Sequence, residues 1–141
     1  MKPLTSELLV FTPEVRDAHA EGRVIVALES TILAHGPPTP DNMACAHKRE
    51  HIIRREGATP ATIAIGPDAS GEGKIHIGLD EAALEAIATG GNEVAKCSPR
   101  DFGEILAAGC WGATTVAGTV RAAAMAGIAV FASGGIGGVH R

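Results

Sequence analysis

Aromatic residues and cysteine are scarce in this sequence. The 141 residues include no Tyr, one Trp and three Phe, so aromatic side chains make up 3% of the chain. Such a composition, together with 18 glycines, suits close packing of helices on a sheet better than a β-sandwich. Three cysteines, Cys45, Cys97 and Cys110, show no Cys-x-x-Cys spacing, which favours a reducing compartment over a disulfide framework.

An excess of positive charge and a long apolar run are also missing. The net charge of -4 argues against nucleic acid as the main partner, because binding to phosphates requires a basic surface. No segment approaches the ~18 consecutive apolar residues of a membrane span, so we expect no membrane partner. With 45% apolar residues the chain can bury a core, and we expect one soluble, cytoplasmic domain.

Strand-like and helix-like segments alternate along the chain. Strands are predicted at residues 24–28, 61–65, 74–78, 93–96 and 128–132, and helices after Thr12, Thr39, Asp80, Ser98 and Thr115. This alternation predicts an α/β fold with α/β/α layers and a largely parallel sheet. The chain stops after a strand and a glycine-rich loop, where such sheets place another helix, so we expect the sheet to be truncated.

Glu29 is the first candidate for a functional residue. It follows an apolar run that is typical of a strand buried on both faces, and it is followed by Ser30 and Thr31. Open α/β sheets bind ligands just beyond the carboxyl ends of their strands. Burial favours the neutral form of a carboxyl group, so Glu29 could serve as a general acid. Alternatively, Glu29 caps a neighbouring helix or pairs with a buried arginine.

Three further segments carry groups that could bind an anion. Lys96 ends a predicted strand, where a lysine can contact phosphate, although it could equally be an ordinary surface lysine. Thr114, Thr115 and Val116 open a helix and offer hydroxyl and backbone N–H groups, which ordinary helix capping could also use. The glycine-rich loop at residues 133–138 lets backbone approach a ligand, and His140 adds phosphate-binding potential.

A zinc-peptidase pattern competes with these sites. His47 and His51 flank Lys48-Arg49-Glu50 in the order His-x-x-Glu-His on a predicted helix. A catalytic zinc ion needs a third protein ligand, and the surrounding Lys48, Arg49, Arg54 and Arg55 favour a solvated helix face instead.

Five strings occur in an order that is unusual for a chance match. They are Val-Ala-Leu-Glu-Ser-Thr-Ile (26–32), His-Gly (35–36), Pro-Ala-Thr-Ile-Ala (60–64), Gly-Ala-Thr-Thr-Val-Ala (112–117) and Phe-Ala-Ser-Gly-Gly-Ile-Gly-Gly-Val-His-Arg (131–141). Together they resemble the pseudouridine-5'-phosphate glycosidase family, also called indigoidine synthase A-like. The resemblance runs from about Leu9 to the last residue and covers roughly the first half of the family's usual chain, so residues 1–141 are expected to be a single N-terminal portion of that domain.

The resemblance implies an enzyme and a set of roles. The family reversibly cleaves the C–C glycosidic bond of pseudouridine 5'-phosphate to uracil and ribose 5-phosphate, uses Mn²⁺ and forms homotrimers. By resemblance Glu29 is the proton donor, Lys96, Thr115 and Val116 contact the substrate, and His140 is a contact on the phosphate side.

The resemblance also implies that parts of the site are missing. The family's lysine nucleophile and the aspartate that helps to hold the metal lie beyond its Val-His-Arg string, where this chain ends, so no residue here is expected to bind the metal. We therefore expect negligible turnover from the isolated chain. The alternatives are a non-catalytic phosphosugar-binding fragment and one half of a split enzyme that a second chain completes.

Overall fold

Helices and strands alternate through residues 7–137, the part of the chain that the computed structural model describes. In chain order the elements are β1 (Leu9–Phe11), α1 (Pro13–Ala20), β2 (Ile25–Leu28), α2 (Thr31–His35), α3 (Asp41–Arg55), β3 (Thr59–Pro67), β4 (Gly73–Ile77), α4 (Glu81–Gly90), β5 (Ala95–Cys97), α5 (Phe102–Ala108), β6 (Gly112–Thr114), α6 (Val116–Met125) and β7 (Val130–Ala132). Short 3₁₀ turns at Gly91–Glu93 and Pro99–Asp101 precede β5 and α5. No helix within the described residues is long and apolar enough to cross a membrane.

The strands form one mixed sheet with β3 at its centre. Its main path runs β1-β4-β3-β2-β7, and β6 pairs with both β3 and β5. The β1–β4, β2–β3, β2–β7 and β5–β6 pairs are parallel, whereas β3 pairs with β4 and with β6 in the antiparallel direction. The predicted largely parallel α/β sheet is therefore confirmed, and the segment at residues 74–78 is the hairpin partner that its alternating pattern indicates.

Helices cover both faces of this sheet. One apolar cluster joins side chains of α1, α5 and α6 to Ala61, Ile63 and Ile65 of β3. The second cluster joins α2, α3 and α4 to Ala64 of the same strand and to Ala113 of β6. Alternate residues of a strand point to opposite faces, so the mostly apolar composition of β3 is explained by the burial of both of its faces. The α/β/α layering follows from this arrangement.

Capping residues define several of the helix ends. The Asp80 carboxylate accepts a hydrogen bond from Ala83 N at 2.9 Å at the start of α4. The capping box at Ser98 is present, since Ser98 N donates to Asp101 Oδ2 at 2.9 Å. Gly109, with φ of 60°, ends α5 in the left-handed region.

Some predicted boundaries are wrong. Pro40, not Thr39, is the N-cap residue of α3. The strand predicted at residues 93–96 is Ala95–Cys97, because Glu93 belongs to a 3₁₀ turn. The last strand begins at Val130 instead of residue 128. Residues 112–114, which were expected only to lead into a helix, form strand β6.

Candidate active site

The carboxyl ends of β2 and β6 meet beside the middle of β3. Strand β2 runs parallel to β3 with Leu28 opposite Thr62, and β6 runs antiparallel with Ala113 opposite Ala64. Because β4 occupies the other edge of β3, β2 and β6 share one edge and approach each other from opposite directions. The residues that follow these two strands are therefore neighbours around Ile63.

Hydroxyl groups join the two strand ends at this point. Ser30 Oγ and Thr114 Oγ1 both donate to the carbonyl oxygen of Ile63, at 2.6 and 2.7 Å. Ser30 Oγ in turn accepts the backbone N–H of Thr114 at 2.8 Å, and Thr119 Oγ1 lies 2.9 Å from Thr114 Oγ1. All three side chains are fully buried, so these bonds fix the segment after β2 against the segment after β6.

Glu29 lies directly after β2, as the sequence predicts, and only 9% of its surface is exposed. Its Oε1 is 3.5 Å from Arg49 Nη2, and Arg49 Nη1 donates to the Glu29 carbonyl oxygen at 3.4 Å. Among the described residues Oε2 has no hydrogen-bond partner, although it is buried. Glu29 thus pairs with the half-buried Arg49 and still keeps one oxygen for another partner. A buried polar atom without a partner needs an explanation.

A pocket of about 350 Å³ opens beside Glu29 and Arg49. Its other walls are apolar or small, and they come from Leu28, Ile32, Ile52, Ile53, Ala132, Ser133 and Gly134. The segment after β7 thus reaches the end of β2, which is the placement expected for a glycine-rich loop that approaches a ligand. A larger cavity of about 480 Å³, between β1, α4 and Trp111, contains none of the predicted site residues.

Thr115 and Val116 lie on the other side of the bonded strand ends. Thr115 Oγ1 accepts the N–H of Gly118 at 3.2 Å and lies 3.0 Å from Ser98 Oγ, so it caps α6 in the ordinary way. Val116 is the first residue of α6 and is half-buried. Thr115 directly follows Thr114 and Glu29 directly precedes Ser30, so the Ser30–Thr114 bond joins the two segments that carry these residues.

Lys96 lies in the middle of β5 and is exposed. Strand β5 is beside β6 on the side away from β3, and among the described residues Lys96 makes no ion pair. Thr115 N donates to Cys97 O at 3.0 Å, which ties the end of β5 to the start of α6. The predicted contact through His140 lies outside the described residues.

The zinc-peptidase pattern does not assemble a metal site. His47 Nε2 is 3.0 Å from Glu81 Oε2 on the surface, while Glu50 accepts a hydrogen bond from Thr62 in the interior. Across residues 7–137 no group of three or more His, Cys, Asp or Glu side chains could hold a metal ion. The described residues therefore do not fit a Mn²⁺ site either.

Comparison with known proteins identifies the fold family. A sequence model described as indigoidine synthase A like protein matches residues 14–141. The chain belongs to the indigoidine synthase A-like family. This membership confirms the resemblance that the five strings indicate.

The indigoidine synthase A-like relatives include pseudouridine-5'-phosphate glycosidases. The protein of that name from Geobacillus kaustophilus is 54% identical over 136 residues, which are 96% of this chain and 43% of the relative. Those from Sorangium cellulosum and Escherichia coli are 51% and 49% identical, over 94% and 98% of this chain and 40% and 43% of the relatives. The chain thus spans about two fifths of the length of these curated relatives.

Solved structures agree with this assignment of the fold. The prealnumycin C-glycosynthase AlnA, solved in complex with ribulose 5-phosphate, is 42% identical and superposes with a TM-score of 0.81. An indigoidine synthase A-like protein from Thermotoga maritima is 31% identical, with a TM-score of 0.76. Each alignment covers 95% of this chain and 41% of the other.

Arg49 was not among the predicted site residues. The basic residues around Arg49 in the sequence suggested a solvated helix face. Only 22% of the Arg49 side chain is exposed, however, compared with 46% for Arg54 and 65% for Arg55. The signal lies in the spacing, because Arg49 falls three residues after the buried Ala46 and four before the half-buried Ile53. Arg49 therefore lies on the inward side of α3.

Proposed function

We propose that this chain is the N-terminal portion of a pseudouridine-5'-phosphate glycosidase. The proposed reaction reversibly splits pseudouridine 5'-phosphate into uracil and ribose 5-phosphate. Overall it adds the elements of water, since the ring carbon gains hydrogen and the sugar carbon gains hydroxyl. Support comes from relatives of that name at 49–54% identity.

The buried carboxyl group of Glu29 is the observation that carries the proposal. Breaking a C–C bond to a uracil ring requires a proton at the ring carbon as that bond breaks. Glu29 lies at a strand end beside a pocket, and its Oε2 has no partner among the described residues. A protonated Glu29 donates to the ring carbon in the cleavage direction, and its carboxylate takes the proton back in the direction of synthesis.

Other residues have supporting roles in this proposal. Thr115 and Val116, at the start of α6, and Lys96, on β5, contact the substrate beyond the Ser30–Thr114 junction. His140 contributes on the phosphate side. The pocket beside Glu29 has mainly aliphatic walls and a single pair of opposite charges, Glu29 and Arg49, so it suits the uncharged uracil ring.

The proposal includes Mn²⁺ although residues 7–137 offer no suitable set of ligands. When bound, the metal ion would supply positive charge to substrate oxygens. Its protein ligand and the lysine nucleophile are proposed to come from outside the described residues. The assembled enzyme is proposed to be a homotrimer, as the resemblance implies, and to be cytoplasmic, as the cysteine spacing favours.

Complementation tests this function. The 141-residue chain, incubated with pseudouridine 5'-phosphate and Mn²⁺, is expected to release negligible uracil. Co-expression with the part of the Escherichia coli relative that this chain does not match should restore release, and Glu29→Gln should abolish it. An assembled, folded complex without turnover would contradict the glycosidase assignment, and clear turnover by the chain alone would contradict the need for a second part.

A phosphosugar-binding fragment is the second candidate. Two observations support it. The chain spans only about two fifths of the length of its relatives, and the similar protein AlnA was solved with ribulose 5-phosphate bound. Isothermal titration of the 141-residue chain with ribose 5-phosphate separates the two candidates. Saturable binding without restored turnover in the complementation experiment favours the binding fragment, whereas restored turnover favours the enzyme.

A further inference from the structure

Arg49 differs from the other basic residues of α3 in what its guanidinium touches. Arg54 donates to Glu14 at 2.8 and 2.9 Å and to Glu50 at 3.2 Å, and Arg55 contacts the exposed Glu56. Arg49 instead points toward the end of β2, where both of its contacts are to Glu29.

The contacts reach the backbone and the side chain of the same residue. Arg49 Nη1 donates to the Glu29 carbonyl oxygen at 3.4 Å, and Nη2 lies 3.5 Å from the carboxylate Oε1. Arg49 Nη2 and Glu29 Oε2 are both buried, and neither has a hydrogen-bond partner within the described part of the chain. The pair is thus oriented by its contacts but is not locked into a bidentate bridge, whose bonds are shorter.

The pocket around this pair contains no other charge. The remaining lining residues, from β2, α2, α3, β7 and the segment after β7, are all uncharged, and most are aliphatic. Glu50, the next carboxylate along α3, already accepts hydrogen bonds from Thr62 and Arg54. Weak solvation strengthens the attraction between Arg49 and Glu29, because an electrostatic interaction grows as the surrounding dielectric falls.

We propose that Arg49 is a positioning residue that stabilises the Glu29 carboxylate formed during the reaction. This inference rests on the proposed function. When Glu29 gives its proton to the uracil ring carbon, the O–H bond breaks, a C–H bond forms, and the electron pair of the O–H bond remains on the carboxylate. Arg49 offsets that new negative charge, and in the direction of synthesis it keeps Glu29 ready to accept the proton. Arg49 acts through Glu29 and not on the substrate.

A spectroscopic comparison of the full 141-residue chain tests the contact without any catalysis. Carboxyl ¹³C resonances of labelled glutamate are recorded at one fixed pH, and Glu29→Gln identifies the Glu29 signal. In Arg49→Met the Glu29 resonance should move, because the charged group beside the carboxylate is lost. Arg49→Lys should move the resonance less, since it keeps the charge but loses the planar fork. Lys48→Met, on the same helix but exposed, is the matched control and should leave the Glu29 resonance in place.

Turnover in the complemented enzyme gives the second measurement. Arg49→Met should lower kcat by about 10-fold or more with KM nearly unchanged, because the lost stabilisation belongs to the transition state. Arg49→Lys should restore part of kcat. A Glu29 resonance or a kcat in Arg49→Met that matches the unaltered protein would overturn the inference. Absence of turnover in the unaltered complex counts against the proposed function instead, and the resonance comparison then decides by itself whether Arg49 contacts Glu29. If Arg49→Met fails to fold, Arg49→Lys provides the same two readings.

Discussion

At the scale of single residues, the carbonyl oxygen of Ile63 organises the candidate site. It accepts two hydroxyl donors, from Ser30 at 2.6 Å and from Thr114 at 2.7 Å, one from each converging strand end. A carbonyl oxygen has two lone pairs, so both bonds can form together. Glu29 and Thr115 are attached to these two anchors, and their separation therefore depends on buried hydrogen bonds that do not involve either side chain.

Removing the Ser30 hydroxyl tests this junction. Ser30→Ala deprives the buried N–H of Thr114 of its acceptor, while Ile63 still receives the Thr114 hydroxyl. We expect the free energy of unfolding, measured by urea denaturation, to fall by about 1–3 kcal/mol, which is the cost of one unsatisfied buried group. The control, Ser70→Ala in an exposed loop, should change it by less than about 0.5 kcal/mol. Equal effects of the two substitutions would show that the junction contributes little.

Cys97, next to Lys96, permits a second test at this scale. Burial, helped by Asp101 and Cys110, raises the pKa of the Cys97 thiol from 9.0 to about 12. In the folded chain at pH 8 we therefore expect alkylation of Cys97 to be about 100-fold or more slower than that of the exposed Cys110. Because the unfolded state loses its thiol proton first, stability should fall as the pH rises above about 9.

Mass spectrometry of alkylated peptides measures both rates. Urea should make the rates similar, which controls for differences between the two sequences. Rapid alkylation of Cys97 in the folded chain would contradict its burial.

The position of Glu29 at the end of a buried strand was predictable from the sequence, whereas its contact with Arg49 was not. A glutamate is rarely buried unless it is paired or used, so a carboxylate directly after an apolar run is a candidate from its position in the sequence alone. Arg49 stands among basic residues that do face solvent, and its direction depends on how α3 packs beside β2. Sequence spacing places it near the inward side, but only the packing brings its guanidinium to Glu29.

At the scale of elements, several predictions succeeded where local chemistry marks an end, although the cap predicted at Thr39 lies at Pro40. Asp80, the capping box at Ser98 and Gly109 act within one turn of chain, so they can be recognised without tertiary structure. Strand β6 was missed because its three residues, Gly112–Thr114, carry no alternation of their own. It becomes a strand through pairing with β3 and β5, which are distant in sequence.

The packing of α6 on β5 leads to a prediction about Gly118. A Cβ atom at this position would overlap the backbone oxygen of Cys97, which cannot move aside as a flexible side chain could. Gly118→Ala should therefore lower the free energy of unfolding by about 1 kcal/mol or more, in spite of the higher helix propensity of alanine. The matched control is Gly103→Ala in α5, where nothing lies within 4 Å, and there we expect a gain of up to about 1 kcal/mol.

Urea denaturation of both glycine variants measures the two effects. If Gly118→Ala lowers the free energy of unfolding and Gly103→Ala raises it, the close approach of α6 and β5 is supported. That approach sets the distance between Lys96 and Val116. Stabilisation by both substitutions would mean that α6 has room to move, and the proposed contacts of Lys96 and Val116 with one substrate would lose their structural basis.

At the scale of the whole molecule, the sheet has an unprotected edge beside the candidate site. Strand β7 pairs with β2, and within residues 7–137 it has no partner on its other side. Val130 on this strand is 46% exposed, and the segment that follows the strand lines the pocket beside Glu29. A free strand edge with apolar side chains is a template for pairing with another chain. The same edge is thus where further structure could join the sheet and where the isolated chain is most prone to associate.

Substituting valine by lysine at two positions separates edge pairing from a general effect of charge. Val130 lies on the edge strand and Val120 on helix α6, and the two are similarly exposed, at 46% and 48%. Each change adds one positive charge to a chain of net charge -4, so each brings the net charge equally closer to zero. Lysine on a strand edge opposes pairing, because its charge would be buried between the joined strands. We therefore expect Val130→Lys, but not Val120→Lys, to slow concentration-dependent association as measured by light scattering. If both variants associate at the rate of the unaltered chain, the association does not use the β7 edge, and if both slow it equally, charge and not strand pairing is the cause.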